Sequence, residues 1–257
     1  MKKVIIFIIL FFIPITLFSI EFDDSTQRGK LRHWNLNENG GISANDTVSG
    51  DTITLTATSW VTGKYGSGIR TYGNSKASYA VTKVNTSFGL TSISSFTIGF
   101  WIYYTSYPAG TELYFRLAPN TYSCYPHYTH SSKEFGFLVW QEHVNNFADT
   151  NIQITSGVWH HIDYTFDSND KVALYIDTVM VSSIAVADAG VNSHVGNDSV
   201  VATLFNDQTP FASSGDIIYD DFYVVNYAMS QQEIQALVND APTVTLNPDD
   251  NEIILMQ

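Results

Sequence analysis

The sequence predicts an all-β sandwich or barrel, closed late in the chain by a strand that runs directly into one short helix. Three observations carry this prediction. Short apolar and β-branched runs recur from Leu31 to Tyr227, separated by clusters of Gly, Asn, Asp and Ser. Several of the runs alternate strictly, with one apolar face and one mixed face. A complete helix-start signal is identifiable only after the last run.

Taken in order, the chain opens with Lys2 and Lys3 before an almost wholly apolar stretch, Val4 to Leu17, that turns polar at Thr16 to Ser19. Residues 1–19 are therefore expected to be a cleaved secretory signal, because the apolar run falls short of the ~20 residues that span a bilayer. A retained anchor is the alternative. Residues 20–30 are polar and read as a flexible lead-in, and residues 31–240 as the folded domain. Strands are expected at Leu31–Leu36, Thr52–Ala57, Ser78–Val84, Phe96–Tyr104, Glu112–Leu117, Phe135–Trp140, Gln153–Thr155, Trp159–Phe166, Lys171–Ile176, Val179–Val186, Val200–Phe205 and Ile217–Tyr227. Phe96, Ile98, Phe100 and Ile102 share one face of their run. Ile162, Tyr164 and Phe166 share a face opposite His161, Asp163 and Thr165. Such one-sided burial suits antiparallel sheets packed as two layers.

In the last run, alternation puts Ile218, Asp220, Phe222 and Val224 on one face and Tyr219, Asp221, Tyr223 and Val225 on the other. A core-facing Asp220 must then be paired or hold a metal, while Asp221 points to solvent. Ser230 and Glu233 form a capping box, with Met229 and Ile234 placed for a hydrophobic staple. Ala241-Pro242 ends the helix pattern, and residues 241–257 read as a linker or tail with one stray strand.

The formal net charge of −13 becomes more negative by two when Lys2 and Lys3 are removed. Such a chain repels nucleic acid and anionic membranes, so neutral ligands, cations and basic partners remain, with no membrane span after signal removal. Cys124 is the only cysteine. No internal disulfide can form, and the fold rests on its own core or on a metal.

Five runs in order resemble the laminin-G-like branch of the concanavalin A-like lectin/glucanase family: LRHWNLNENGG (31–41), WVTGKYGSGI (60–69), FTIGFWIYY (96–104), VWHHIDYTFDSNDKVALYIDT (158–178) and YDDFYVVNYAMSQQEI (219–234). The resemblance implies a jelly-roll sandwich of two curved antiparallel sheets with one short C-terminal helix. Thr178 stands where the family usually has a hairpin glycine. The resemblance also implies an extracellular binding module for a glycan or an extracellular protein, contacted through rim loops or the concave sheet, with adhesion and structural roles as the alternative. Domains similar to this one often carry a calcium ion at the sandwich rim. Glu38 and Asp46 match acidic positions of the family pattern, so Glu38, Asp46 and Asp220 are expected to converge on Ca²⁺, an ion that takes 6–8 oxygen ligands.

Other constellations carry less. Tyr104, Tyr125, Tyr128 and Trp140 are candidate sugar-stacking residues, since aromatic faces suit the apolar faces of sugars; Tyr103 and Tyr107 belong to the same aromatic group. Cys124, His127 and His130 lie close together but match no zinc spacing. His160 and His161 fall on opposite faces of a strand, which suits structural pairing. For glycoside hydrolysis two carboxylates must face one cleft ~5–9 Å apart. Glu134 and Glu142 share a face but lie ~27 Å apart at 3.4 Å per residue. No Glu-x-Asp-x-x-Glu run, nucleophile elbow or metalloprotease helix occurs, so a non-catalytic protein is expected, with a glycoside hydrolase or polysaccharide lyase as the alternative. Three N-glycosylation sequons, at Asn45, Asn85 and Asn197, matter only in a eukaryotic source.

Overall fold

The computed structural model describes residues 32–72, 79–82, 95–107, 111–118, 124–129, 134–139, 143–147, 152–167, 171–185, 201–204, 216–239, 244–246 and 253–255. The first strands are β1 (Arg32–Trp34), β2 (Ser43–Asn45), β3 (Thr52–Thr56), β4 (Ser59–Thr62), β5 (Ser67–Thr71) and β6 (Tyr79–Thr82). The long β7 (Phe96–Ser106) follows, then β8 (Thr111–Leu113), β9 (Phe115–Ala118), β10 (Cys124–Thr129), β11 (Glu134–Val139) and β12 (His143–Phe147). The chain continues through β13 (Trp159–Phe166), β14 (Lys171–Ile176), β15 (Val179–Ala185), β16 (Val201–Leu204) and β17 (Asp216–Val225) into α1 (Gln231–Asn239). A hairpin of β18 (Val244–Leu246) and β19 (Ile253–Leu255) occupies the tail, where one strand is expected from sequence.

Two antiparallel sheets carry the domain. One has eight strands in the order β15-β14-β13-β7-β17-β5-β4, with β1 added beside β17; the other has nine, β12-β11-β10-β9-β16-β6-β3-β2, with β8 beside β10. A single apolar core joins them. Phe96, Ile98, Phe100 and Ile102 of β7, Ile162, Tyr164 and Phe166 of β13, and Ile217 and Tyr219 of β17 meet Ala44, Ile53, Leu55, Tyr128 and Phe135 of the other sheet. Phe96 stacks on Phe166 at 4.0 Å, and Phe100 stacks on Phe222 at 5.7 Å. The alternation read from β7 and β13 therefore gives the core face correctly.

In β17 the alternation fails, for a reason visible in the register. Asp220 pairs with Trp101 and Tyr223 with Gly99, so two residues of β17 oppose one of β7, and Asp221 takes a left-handed φ of 52°. This bulge reverses the facing of everything after it. Ile217 and Tyr219 face the core before it, and Phe222 and Val224 after it. Asp220 therefore does not share a face with Phe222 and Val224. The bulge also marks a change of neighbour: β17 pairs with β5 through Ile217–Tyr219 and with β1 through Phe222–Val224.

Three smaller expectations are also corrected. The segment Gln153–Thr155 is not a strand, and Ile154 there simply plugs the core. The first strand ends at Trp34, because Leu36 turns to φ 51°. Strands β2, β4, β5, β10 and β12 are not expected from sequence; they are runs without clear alternation, short in most cases and broken by Pro126 in β10.

Helix α1 starts as the capping box predicts. The Ser230 amide donates to Glu233 Oε2 at 2.6 Å and the Glu233 amide to Ser230 Oγ at 3.3 Å. Thr97 fastens this corner to β7, donating to the Tyr227 carbonyl and accepting from the Met229 amide, each at 2.8 Å. Met229 and Ile234 are buried against Ala173, Tyr175, Tyr223 and Val225 on the outer face of the eight-stranded sheet.

The β14–β15 turn has only Asp177 and Thr178 at its tip, at φ 49° and 69°. Left-handed φ at both positions is the hairpin geometry that favours glycine. Thr178 carries a Cβ there at a cost of roughly 1–2 kcal/mol. Thr178→Gly is expected to raise stability by about 1 kcal/mol, less than the full relief because glycine also loosens the unfolded chain. Urea unfolding at constant m-value measures it.

Candidate functional site

The outer face of the eight-stranded sheet is built as successive rows across the strands, each fixed by register. The row nearest α1 is Ala173, Thr165, Thr97 and Val225; the next is Tyr175, Asp163, Gly99, Tyr223 and His33. The third is His161, Trp101 and Asp220, and the fourth is Trp159, Tyr103, Ile218, Arg70 and Ser59. Helix α1 covers the first end of this face, and the fourth row lies at the other.

Gly99 is required where it stands. A Cβ there would run into the Tyr223 ring and hydroxyl and the Asp163 carboxylate. Into the space it leaves, Tyr223 donates its hydroxyl to Asp163 Oδ1, and His161 Nδ1 lies 2.8 Å from Asp163 Oδ2. All three side chains are buried. Burial first, and Asp163 second, push the Tyr223 hydroxyl well above its ordinary pKa, so it keeps the proton it donates. The group is closed to solvent and works as a polar staple under the helix.

His160 turns to the opposite face, as strand alternation requires. Its Nδ1 sits 2.8 Å from Asp177 Oδ2, while Asp177 Oδ1 accepts from the His161 amide at 2.9 Å. Burial opposes ionisation of Asp177, but the His160 ring and the His161 amide outweigh it and hold the carboxyl below its usual range. The adjacent histidines are thus two structural pairings.

Asp220 lies beneath the β4–β5 hairpin. Its Oδ2 accepts from the Tyr65 amide at 2.8 Å, and Oδ1 is buried without a hydrogen bond. A Cβ on Gly63 would sit 2.5 Å from Oδ2 and 2.5 Å from the Ser67 carbonyl, so only glycine lets the loop close this tightly. Asn37 braces the loop from the side by accepting from the Ser67 amide at 2.9 Å. Burial above all raises the Asp220 carboxyl to about 7, assisted by the neighbouring Asp221 and partly offset by the Tyr65 amide. Lys64 and Tyr65 roof this row. Lys64 Nζ stands 4.4 Å from the Trp101 ring centroid, and Tyr65 meets the same ring edge-on at 5.9 Å. Asp221, expected in solvent, instead lies 2.5 Å from His33 Nε2.

The three carboxylates expected to share calcium are engaged differently. Asp46 accepts from the His33 and Val48 amides on Oδ1 (2.8 and 3.0 Å), and from Arg32, the Ser49 amide and Ser49 Oγ on Oδ2 (3.2, 3.2 and 2.5 Å). Five donors saturate its acceptor directions. Glu38 Oε1 accepts from the Asn45 amide at 2.7 Å, while Oε2 is buried without a partner. Among the described residues no three His, Cys, Asp or Glu side chains group as a metal site. The set Glu38, Asp46 and Asp220 therefore does not fit a shared ion, because Asp46 has been spent on its own loop.

The expected aromatic ligands fare likewise. Tyr104 and Tyr128 are fully buried in the core, where neither ring can stack on a sugar. Their parity on β7 and β10 turns them inward. Tyr125 contributes its backbone to β10 opposite Leu138, with its side chain outside the described residues, and Trp140 lies outside them altogether. His130 and Glu142 also lie outside them.

A laminin G family model, described as the concanavalin A-like lectin/glucanases superfamily, matches residues 73–235. The chain belongs to this superfamily. Concanavalin A-like jelly rolls are also what its solved structural neighbours share. Domain 4 of AbnA, an extracellular GH43 arabinanase from Geobacillus stearothermophilus solved with arabinotriose, aligns over 80% of this chain and 96% of that one, at TM-score 0.61 and 15% identity. The botulinum neurotoxin serotype D binding domain aligns over 81% of this chain at TM-score 0.61 and 11% identity, and Trypanosoma rangeli sialidase over 80% at 0.59 and 12%. The chain spans about half of that toxin domain (51%) and a third of the sialidase (32%). No curated protein matches the sequence. At these identities the likeness to solved structures establishes the fold of this superfamily member and nothing about its ligand.

Proposed function

We propose that this protein is a non-catalytic carbohydrate-binding module, exported through the apolar leader of residues 1–19. The observation that carries the reading is the near-complete alignment, 96%, to an arabinanase domain that was solved holding arabinotriose. There the chain matches nearly the whole of one solved domain over 80% of its own length. Support for a non-catalytic role comes from three carboxylates that the fold itself uses. Asp46, Asp163 and Asp177 are each committed to amides, rings or a guanidinium that hold the fold. A structural calcium ion enters this reading only at Asp220 and Glu38, whose Oδ1 and Oε2 accept nothing.

The test is an array of immobilised neutral and acidic polysaccharides, run beside a reducing-end assay on the same panel. Saturable binding to neutral glycans without release of reducing ends is the expected result. New reducing ends from any substrate would make the protein an enzyme, and silence across the panel would favour a protein-binding or spacer role.

A further inference from the structure

Of the four rows on the outer face of the eight-stranded sheet, the fourth is covered by neither α1 nor the Lys64–Tyr65 roof. It crosses five strands, Trp159, Tyr103, Ile218, Arg70 and Ser59, a distance of roughly 19 Å at the usual inter-strand spacing. Trp159, Tyr103 and Ile218 are each half-buried, as is Arg70, and Tyr72 beside Arg70 is 42% exposed. From the sequence Tyr103 is already a stacking candidate. The register adds Trp159, with ring centroids 5.5 Å apart.

The polar end of the row is rigid. Arg70 Nε and Nη2 both donate to Asp216, at 2.7 and 2.5 Å, and the guanidinium carbon lies 5.3 Å from the Tyr72 ring centroid. Thr105 donates to the Asp216 carbonyl at 2.6 Å, and Tyr72 donates to Ser59 Oγ at 2.7 Å. The bidentate Arg70 bond, more than any other influence, holds the Asp216 carboxyl below its usual range. The row therefore offers aromatic faces, an apolar centre and fixed hydrogen-bonding groups, with its cation cancelled by Asp216.

We infer that this row is a glycan-binding strip, taking a neutral oligosaccharide laid across the strands from Trp159 to Tyr72. Sugar rings have an apolar face that stacks on aromatic rings and an equator of hydroxyls that needs fixed donors and acceptors. The charge balance selects among glycans. The strip itself is neutral, but the chain around it carries −13, so acidic polysaccharides are repelled and neutral ones are not. This inference rests on the reading of the protein as a carbohydrate-binding module and assigns the contact to one row of the sheet face rather than to the rim loops.

The experiment uses the full chain, with immobilised arabinan, xylan, mannan and β-glucan as probes and dissociation constants measured for whichever binds. Trp159→Ala and Tyr103→Ala are each expected to weaken binding by about tenfold or more, as truncated aromatic hot spots do. Trp159→Phe, which keeps a ring, retains most of the affinity. Ile218→Lys, at the half-exposed centre of the row, abolishes binding and serves if an alanine variant lowers the folded yield. Ile42→Ser, on a rim residue 75% exposed, leaves binding unchanged. Unchanged affinity in Trp159→Ala, Tyr103→Ala and Ile218→Lys would overturn the strip while leaving the carbohydrate reading intact, most clearly if Ile42→Ser then lost binding. Failure of the wild type to bind any of the four probes overturns the carbohydrate reading and the strip with it. A dimer in sedimentation that Ile218→Lys dissociates would show a second copy covering the face, and overturn the strip as well.

Discussion

Replacing Asp46 by alanine lowers the unfolding free energy by about 2–3 kcal/mol, the cost of taking a buried acceptor away from the donors gathered on it. The Asp46 side chain is fully buried, and the Arg32 guanidinium that it holds is only 12% exposed. Its removal leaves that cation with Asp51 alone, at 3.4 Å, and takes the acceptor from the half-buried amides of His33 and Val48 and the exposed amide of Ser49. The loop from 46 to 51 ties β1 of one sheet to β2 and β3 of the other, with the Thr47 amide donating to the His33 carbonyl at 2.8 Å and the Asp46 amide to the Asp51 carbonyl at 2.7 Å. The damage therefore spreads across both sheets. Asp46→Asn keeps one acceptor and is expected to fall between wild type and alanine. Urea unfolding at fixed m-value is the measurement. A loss under about 1 kcal/mol for Asp46→Ala would mean that the loop holds without its carboxylate.

The second large effect is a dependence on pH that runs opposite to ordinary acid denaturation. Asp220 keeps its proton in the folded protein up to about pH 7, whereas the unfolded chain releases it near the ordinary carboxyl value of 3.8. Between those limits the folded state binds the extra proton, so stability falls as pH rises. The contribution is fully present below about pH 4 and has been lost by about pH 7. Three pH units at 1.36 kcal/mol each make the loss roughly 4 kcal/mol. Asp220→Asn, isosteric and uncharged, removes this slope, matching the wild type at pH 4 and exceeding its stability at pH 8. Thermal melts of both proteins from pH 4 to 8 measure the difference. The same titration bears on calcium. An ion on Asp220 would stabilise the carboxylate, flatten the wild-type profile at millimolar Ca²⁺ and add a melting shift that chelator removes, whereas an unmetalled acid leaves the profile unchanged.

What the sequence reveals divides along the physics of the strands. Where a strand is regular and one face is apolar, as in β7 and β13, alternation gives both the sheet and the facing of every residue. The capping box at Ser230 and Glu233 is a local code and is read just as directly. The bulge at Asp221 carries no such code. It depends on β17 changing partners from β5 to β1, two segments more than a hundred residues away in the chain, so strict alternation wrongly puts Ile218 and Asp220 on the core face with Phe222 and Val224. The expected calcium set fails for a related reason. Asp46 sits in a loop whose own amides and hydroxyl, with Arg32, satisfy it before any ion could, and pattern matching does not register local donors. Tyr104 and Tyr128 show that an aromatic cluster in a β sequence is core unless the register turns it outward. Trp159 is legible only through the register that sets it beside Tyr103.

This superfamily member is proposed to recognise neutral carbohydrate without acting on it. Affinity electrophoresis of the full chain through gels containing soluble arabinan, xylan, mannan or β-glucan tests that claim most directly, with the recovered polysaccharide assayed for new reducing ends. Retarded migration is expected in at least one of these gels, relieved by the free oligosaccharide, with chain length and reducing-end content unchanged. Unretarded migration in all four, or any shortening of the polysaccharide, would contradict it.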